Sequence, residues 1–225
     1  VIPIRDDNPK HRTPFVTYGL IAACVLVYLW QIAQGSAGFQ RVFYGFGLIP
    51  AVLTGSATLP GELATVPPVA TVFTSMFLHG GFFHLAGNLL FLWIFADNVE
   101  DTLGHWPFVV FYLLCGVGAA TAQVLPDPDS VIPMVGASGA ISGILGAYLL
   151  MFPHARVLVA LPLGFIFYML KLRAITVLGF WFLLQLLSSL MTGPDSGGVA
   201  FRAHIGGFIT GMLLLPLFSG GRRRR

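Results

Sequence analysis

The chain has 225 residues, of which 56% are hydrophobic and only 9% charged, with a formal net charge of +3. Soluble domains carry roughly 25% charged residues, so this composition excludes an ordinary water-soluble enzyme and points to lipid as the main solvent. The basic residues gather mainly toward the two ends of the chain, which leaves no basic surface for nucleic acid.

The first residues, VIPIRDDNPKHR, are polar and basic, with neither a short apolar core nor a cleavage site, so no cleavable signal peptide is expected. Six apolar stretches follow that are predicted to span or nearly span a membrane: 15–32, 82–96, 108–125, 138–152, 174–191 and 203–218. Several fall short of the roughly 20 residues a simple spanning helix needs. A short one can borrow from its flanks, or stop where it lines a cavity in the protein. Between the first two spans, the segment 35–78 mixes Phe39, Phe43, Tyr44 and Phe46 with Pro50, Pro60, Pro67 and Pro68. It reads either as a segment lying partly in the membrane interface or as a loop with a few anchoring aromatics. Cys24 and Cys115 fall inside apolar runs, where a thiol packs as a small hydrophobe.

The stretch 157–170 is apolar but would reach only roughly 21 Å as a helix, against a hydrocarbon core of about 30 Å. Pro162 and Gly164 interrupt it, and Arg156 and Lys171 bracket it. It is expected to be an interfacial hairpin with both ends on one side. Charge supports this. With six spans and the N-terminus inside, Arg5, Lys10, Arg12, Arg156, Lys171, Arg173 and Arg222 to Arg225 are cytoplasmic, and Arg41 and Arg202 are outside. That distribution is what the positive-inside rule asks for. The expected fold is therefore all-α: one polytopic membrane domain over 1–225, a bundle of six transmembrane helices with a long, partly membrane-embedded loop after the first. The short tails suggest a prokaryotic inner (plasma) membrane with both termini cytoplasmic. No internal repeat of the kind that builds many transporters is visible.

The polar residues of the second, fourth and sixth spans carry the chemistry. Ser138 lies fifteen residues before Pro153, roughly 22 Å at helical rise, and His204 sixteen before Gly220, roughly 24 Å. His84 lies between thirteen and sixteen residues before the acidic turn at Asp97 and Glu100, roughly 20–24 Å. All three are thus expected at one depth, roughly 10 Å below the outer surface, with Asn88 one turn deeper on the face of His84. A serine alone in a membrane helix usually bonds back to its own backbone, and a histidine alone usually bridges two helices. At equal depth they form a candidate nucleophile and base.

Ser138 sits in Gly136-Ala137-Ser138-Gly139 at the start of a helix, where small neighbours admit a carbonyl and free amides can stabilise an oxyanion. Gly139 and Gly143 form a small-xxx-small pair, as do Gly207 and Gly211; either they are only packing motifs or their packing also brings Ser138 to His204. No carboxylate shares that depth. Asp97, Glu100 and Asp101 lie at the cytoplasmic end, and Asp127, Asp129 and Asp195 in outer loops. A Ser138–His204 dyad is expected, with His84 and Asn88 donating to the oxyanion beside the Ser138 amide. The loops 126–133 and 193–198 flank the two catalytic helices and would cap a water-filled cavity. Trp181 and Phe182 on the fifth span read either as a lateral gate for a substrate helix or as lipid-facing aromatics.

Four motifs resemble those of the rhomboid family of intramembrane proteases: His79-x4-His84-x3-Asn88, Val99-Glu100-Asp101-x-Leu103-Gly104, Gly136-Ala-Ser138-Gly139, and Ala203-His204-x2-Gly207-x3-Gly211. The resemblance implies a serine endopeptidase that cleaves transmembrane protein substrates near their outer ends, using Ser138 and His204 as the dyad and His84 and Asn88 as the oxyanion hole, without a cofactor. His79 reads as structural or water-holding. Two positions depart from the family's pattern. The first long loop lacks the Trp-Arg pair of many members, with Arg41 as a candidate substitute, and Ser142 stands where some members stack a tyrosine on the catalytic histidine. The alternatives are a proton- or ion-conducting transporter and a binding-only relative. A metal site at His79, His84 and His204 lacks the carboxylate or thiolate that usually completes the shell.

Overall fold

A computed structural model describes residues 1–164, 166–192 and 198–219. Asp195, most of the 193–198 loop, Gly220 and the terminal Arg222 to Arg225 lie outside the described residues.

The apolar stretches fold into helices because a backbone without water must satisfy its own polar groups. In chain order the described residues form α1 (Phe15–Ala33), α2 (Gly35–Phe46), α3 (Pro50–Thr54), a run of short helical turns α4 (Pro68–Phe77), α5 (Phe82–Leu103), α6 (His105–Val124), α7 (Ser138–Met151), α8 (Ala174–Met191) and α9 (Phe201–Ser219). Helices α1, α5, α6, α8 and α9 have 18 to 22 residues and are long and apolar enough to cross a membrane. The polytopic helical bundle expected from the sequence is present, with five such helices among the described residues. Helix α7 has 14 residues, about 21 Å, and is shorter than the hydrocarbon core. It is nonetheless the centre of the bundle: every residue from Gly139 to Tyr148 is buried. The segment 35–78 is built from α2, α3 and α4, with Val42, Leu48, Ile49 and Ala51 buried. Cys24 and Cys115 are free, buried thiols in the main core.

Glycine sets the contact between α7 and α9. A Cβ on Gly207 would stand 2.0 Å from the Gly139 carbonyl oxygen, and one on Gly211 would stand 2.0 Å from that of Gly143. Only a hydrogen at each position lets the two backbones touch, which is how small-xxx-small faces bring membrane helices together. Helix α6 closes the other flank, where a Cβ on Gly139 would meet the Ala119 methyl at 2.6 Å.

Helix α5 runs past the expected end of the second span, through one π-helical turn at Leu92–Ala96 and on to Leu103. Its acidic end is satisfied by the N-terminal segment. The buried Glu100 carboxylate accepts hydrogen bonds from the Val16 and Thr17 amides (2.9 and 2.8 Å), the Thr17 hydroxyl (2.6 Å) and the His105 ring (2.6 Å). Helix α1 begins after Pro14 with no side-chain cap of its own. Glu100 supplies that cap from another helix, covering free amides and complementing the helix dipole. Lys10 pairs with Asp97 at 2.9 Å, and Asp101 accepts from the His11 amide.

The 157–170 stretch is a β-hairpin whose two ends lie together, and a third strand joins it. Strands β1 (Ile2–Asp6), β2 (Arg156–Leu163) and β3 (Ile166–Arg173) form an antiparallel sheet in that order, with Arg156 opposite Arg173. Val157 and Val159 point into the core and are fully buried. The sheet is an addition to the helical expectation, and it gathers Arg5, Arg156, Lys171 and Arg173 at the end of the molecule away from Ser138.

Candidate active site

The chain enters α7 through a pinned extended segment. Leu48 and Met134 exchange backbone hydrogen bonds of 3.0 and 2.7 Å, and the Gly136 amide donates to the Ser75 carbonyl at 2.9 Å. Gly136 has a φ of +123°, a conformation that glycine adopts without steric cost. This turn delivers Ser138 as the first residue of α7, where the amides of the opening turn have no partner inside the helix.

Ser138 and His204 meet across the α7–α9 contact, with 2.7 Å between Ser138 Oγ and His204 Nε2. On its other side, His204 Nδ1 lies 2.8 Å from the side-chain oxygen of Gln185 on α8. The Trp181 ring lies beside the imidazole at 5.9 Å between centroids, tilted by 32°, and Phe201 meets it edge-on at 6.4 Å. Ser142 donates its hydroxyl back to the Ser138 carbonyl at 2.6 Å, so it plays no part in holding the ring. Gln185 is a residue that the sequence reading missed. It is the one amide in the apolar run 177–187, and an amide so placed must find a polar partner when buried; that was the available signal.

His84 and Asn88 come to the same place from α5. The Gly80 amide donates to His84 Nδ1 at 3.3 Å, which leaves the proton of the neutral ring on Nε2. A Cβ built on Gly136 would stand 2.7 Å from His84 Nε2 and 3.6 Å from Ser138 Oγ. The missing side chain lets the His84 ring lie close against the backbone of the turn before Ser138. Asn88 is buried, and its Nδ2 donor has no hydrogen-bond partner among the described residues. A buried unpaired amide costs free energy, so it is a donor waiting for an acceptor. His79 stands one step back: Gln31 of α1 binds both its backbone amide (3.0 Å) and its carbonyl (3.3 Å), and its ring meets His84 edge-on at 5.2 Å.

Ser138, His204, His84, Asn88, Gly136 and Trp181 all line one cavity of about 750 Å³. A second space of about 390 Å³ shares His84 with it and is lined by Gln123, Asp127, Ser130 and Arg202. The described lining of the first cavity holds no carboxylate.

Residues 67–221 match the family model of the rhomboid domain. The chain belongs to the rhomboid family. Among curated proteins it is 30% identical over 139 residues to RHOMBOID-like protein 5 of Arabidopsis thaliana, covering 62% of this chain and 40% of that protein. It is 31% identical over 140 residues to rhomboid protease GluP of Bacillus subtilis, covering 62% of this chain and 25% of that protein. Rhomboid-like protein 11, chloroplastic, of Arabidopsis thaliana is 31% identical over 154 residues, or 65% of this chain and 51% of that protein. The chain thus spans about half or less of the length of these rhomboid relatives. Family membership together with the five long apolar helices makes this an integral membrane protein.

Proposed function

We propose that this chain is an intramembrane serine endopeptidase acting on transmembrane protein substrates through a Ser138–His204 dyad. The observation that carries the reading is the 2.7 Å contact between Ser138 Oγ and His204 Nε2 in a cavity that also holds an unpaired amide donor. The match to rhomboid protease GluP supports it.

The chemistry follows from the geometry. Ser138 Oγ attacks the substrate carbonyl carbon while its proton passes to His204 Nε2. The carbonyl oxygen becomes an oxyanion in the cavity beside His84 and Asn88, where the His84 ring N–H, the Asn88 amide and the first amides of α7 can donate to it. His204 returns the proton to the leaving amine as the C–N bond breaks. Water, deprotonated by His204, then adds to the acyl-serine and releases the carboxylate product and Ser138. Helix-breaking small residues in a substrate favour cleavage, since an intact helix keeps its carbonyls in its own hydrogen bonds.

Orientation follows from charge. Arg5, Lys10, Arg12, Arg156, Lys171 and Arg173 share one end of the bundle, and Arg41 and Arg202 lie toward the other. The positive-inside rule then makes the sheet cytoplasmic and opens the cavity outward. A prokaryotic inner membrane suits that arrangement. Substrate enters beside α8, which touches α5 through the 6.3 Å contact of Phe91 with Trp181.

Purified protein in proteoliposomes, with a model transmembrane substrate, tests the reading beside Ser138→Ala and His204→Ala. Cleavage by the parent and loss in both folded variants is the expected result. Cleavage that survives without Ser138 overturns the mechanism.

A further inference from the structure

A serine–histidine pair needs one particular imidazole tautomer: the proton on Nδ1, and the lone pair on Nε2 facing the serine hydroxyl. Nothing in an isolated imidazole secures that choice, because the two neutral tautomers are similar in energy. In serine hydrolases with a triad, an acid secures it. Here the cavity's described lining has no carboxylate. The other titratable ring facing it is His84 on α5, while α7 offers Ser138 and α8 offers only Gln185 and Trp181.

Gln185 is 9% exposed, and its Oε1 lies 2.8 Å from His204 Nδ1. Its Nε2 lies 3.4 Å from the backbone carbonyl oxygen of Trp181, one turn earlier in α8. The second contact fixes the first. Rotating the amide by half a turn would place Oε1 against the Trp181 carbonyl, opposing two acceptors, and would press an NH₂ group on His204. With the amide as it stands, an oxygen that can only accept faces Nδ1, and Nδ1 must carry the proton. The lone pair of Nε2 is thereby turned to Ser138 Oγ at 2.7 Å.

We propose that Gln185 is a positioning residue that holds His204 as its Nδ1–H tautomer, with Nε2 free for Ser138. This rests on the nucleophile–base reading above. A neutral amide suits the location: a carboxylate there would have to be stripped of its water, whereas the amide dipole orients the ring and stabilises the imidazolium formed during attack without adding a buried charge. Trp181 has two parts in the arrangement, its ring beside His204 and its carbonyl on Gln185.

Two measurements test it. Nitrogen-15 NMR of histidine-labelled protein reads the tautomer whether or not a substrate is cleaved. His204 should show a protonated Nδ1 and a bare Nε2 in the parent, and this pattern should be lost in Gln185→Leu. A parent ring protonated on Nε2 instead, or a pattern unchanged in Gln185→Leu, overturns the proposal. In the cleavage assay, Gln185→Leu should lower kcat by about 10- to 100-fold, the scale of one buried donor left unpaired, with KM little changed. Gln185→Glu keeps an acceptor at Nδ1 and should retain cleavage, with the acidic limb of its pH–rate profile moved to higher pH, because a carboxylate favours the protonated ring. Full activity in Gln185→Leu overturns the proposal, as does loss of cleavage in a folded, isosteric Gln185→Glu, which decides the matter should the leucine variant fail to fold. A parent that shows the tautomer but leaves Ser138 unreactive would instead sink the protease reading.

Discussion

At the scale of single residues, the space beside Ser138 is defined by what is missing from it. A Cβ on Gly136 would stand 2.7 Å from His84 Nε2 and 3.6 Å from Ser138 Oγ, so glycine alone leaves the His84 ring its place beside the serine. Gly136→Ala presses a methyl on the His84 ring and strains a backbone at φ +123°. It should reduce cleavage more than about 100-fold, the scale of losing an oxyanion contact. Gly179→Ala, where a Cβ meets nothing within 4 Å, serves as the control and should cleave normally. Equal activity in both variants would mean that cleavage does not depend on the position of the His84 ring. Asn88→Ala removes a donor that has no other partner among the described residues. It should cost kcat about 100- to 1000-fold with KM preserved, and a change of less than about threefold would remove Asn88 from the mechanism.

At the scale of elements, the bundle depends on a few close approaches. Gly211→Ala would put a methyl 2.0 Å from the Gly143 carbonyl oxygen, so α9 must move off α7. Overpacking of this kind costs about 1–3 kcal/mol. Thermal unfolding should shift down, and cleavage should fall because Ser138 and His204 sit on the two separated helices; an unchanged melting temperature would mean the contact is looser than described. The glycine spacing of 139, 143, 207 and 211 was legible in the sequence because small residues four apart can mean only one face of a helix. Helical rise likewise set His84, Ser138 and His204 level with one another, and the three line one cavity. The partner of His204 was not legible as a contact. Gln185 is remote from every motif, and only the packing of α8 against α9 brings it to Nδ1. The full length of α5 was hidden by Asp97, Glu100 and Asp101, which read as the end of a span. They are helical because the N-terminal segment covers them. The hairpin was visible as a non-spanning stretch, but its pairing with residues 2–6 joins segments too distant in sequence for local pattern to reveal.

At the scale of the whole molecule, the two ends differ. One holds the cavity, and the other holds the sheet and most of the described basic residues. Asp6 fastens the sheet to the bundle by accepting the hydroxyl proton of Tyr148 from the far end of α7. Burial raises its pKa from 3.8 to about 6, although the Tyr148 hydrogen bond pulls the other way. A raised carboxyl pKa means that the docked strand binds the proton more tightly than the detached one. Docking is therefore strongest below 3.8 and weakens as pH rises through about 6. Hydrogen exchange of residues 2–6, corrected for its intrinsic pH dependence, should be slower at about pH 5 than at about pH 7.5. Asp6→Asn should abolish the difference; a difference that persists would assign it to another group. Trp181 connects the cavity to the flank of the bundle. Trp181→Ala should speed cleavage of membrane-embedded substrates if Trp181 gates their entry; a loss would assign it to positioning alone, and no change would sink the gate.

The proposed mechanism needs Ser138 to be a nucleophile activated by His204. A fluorophosphonate probe forms a stable adduct with an activated serine, and mass spectrometry of the labelled protein locates it. The predicted result is one adduct, on Ser138, abolished in a folded His204→Ala variant. Labelling that spares Ser138, or that persists undiminished without His204, would contradict the mechanism.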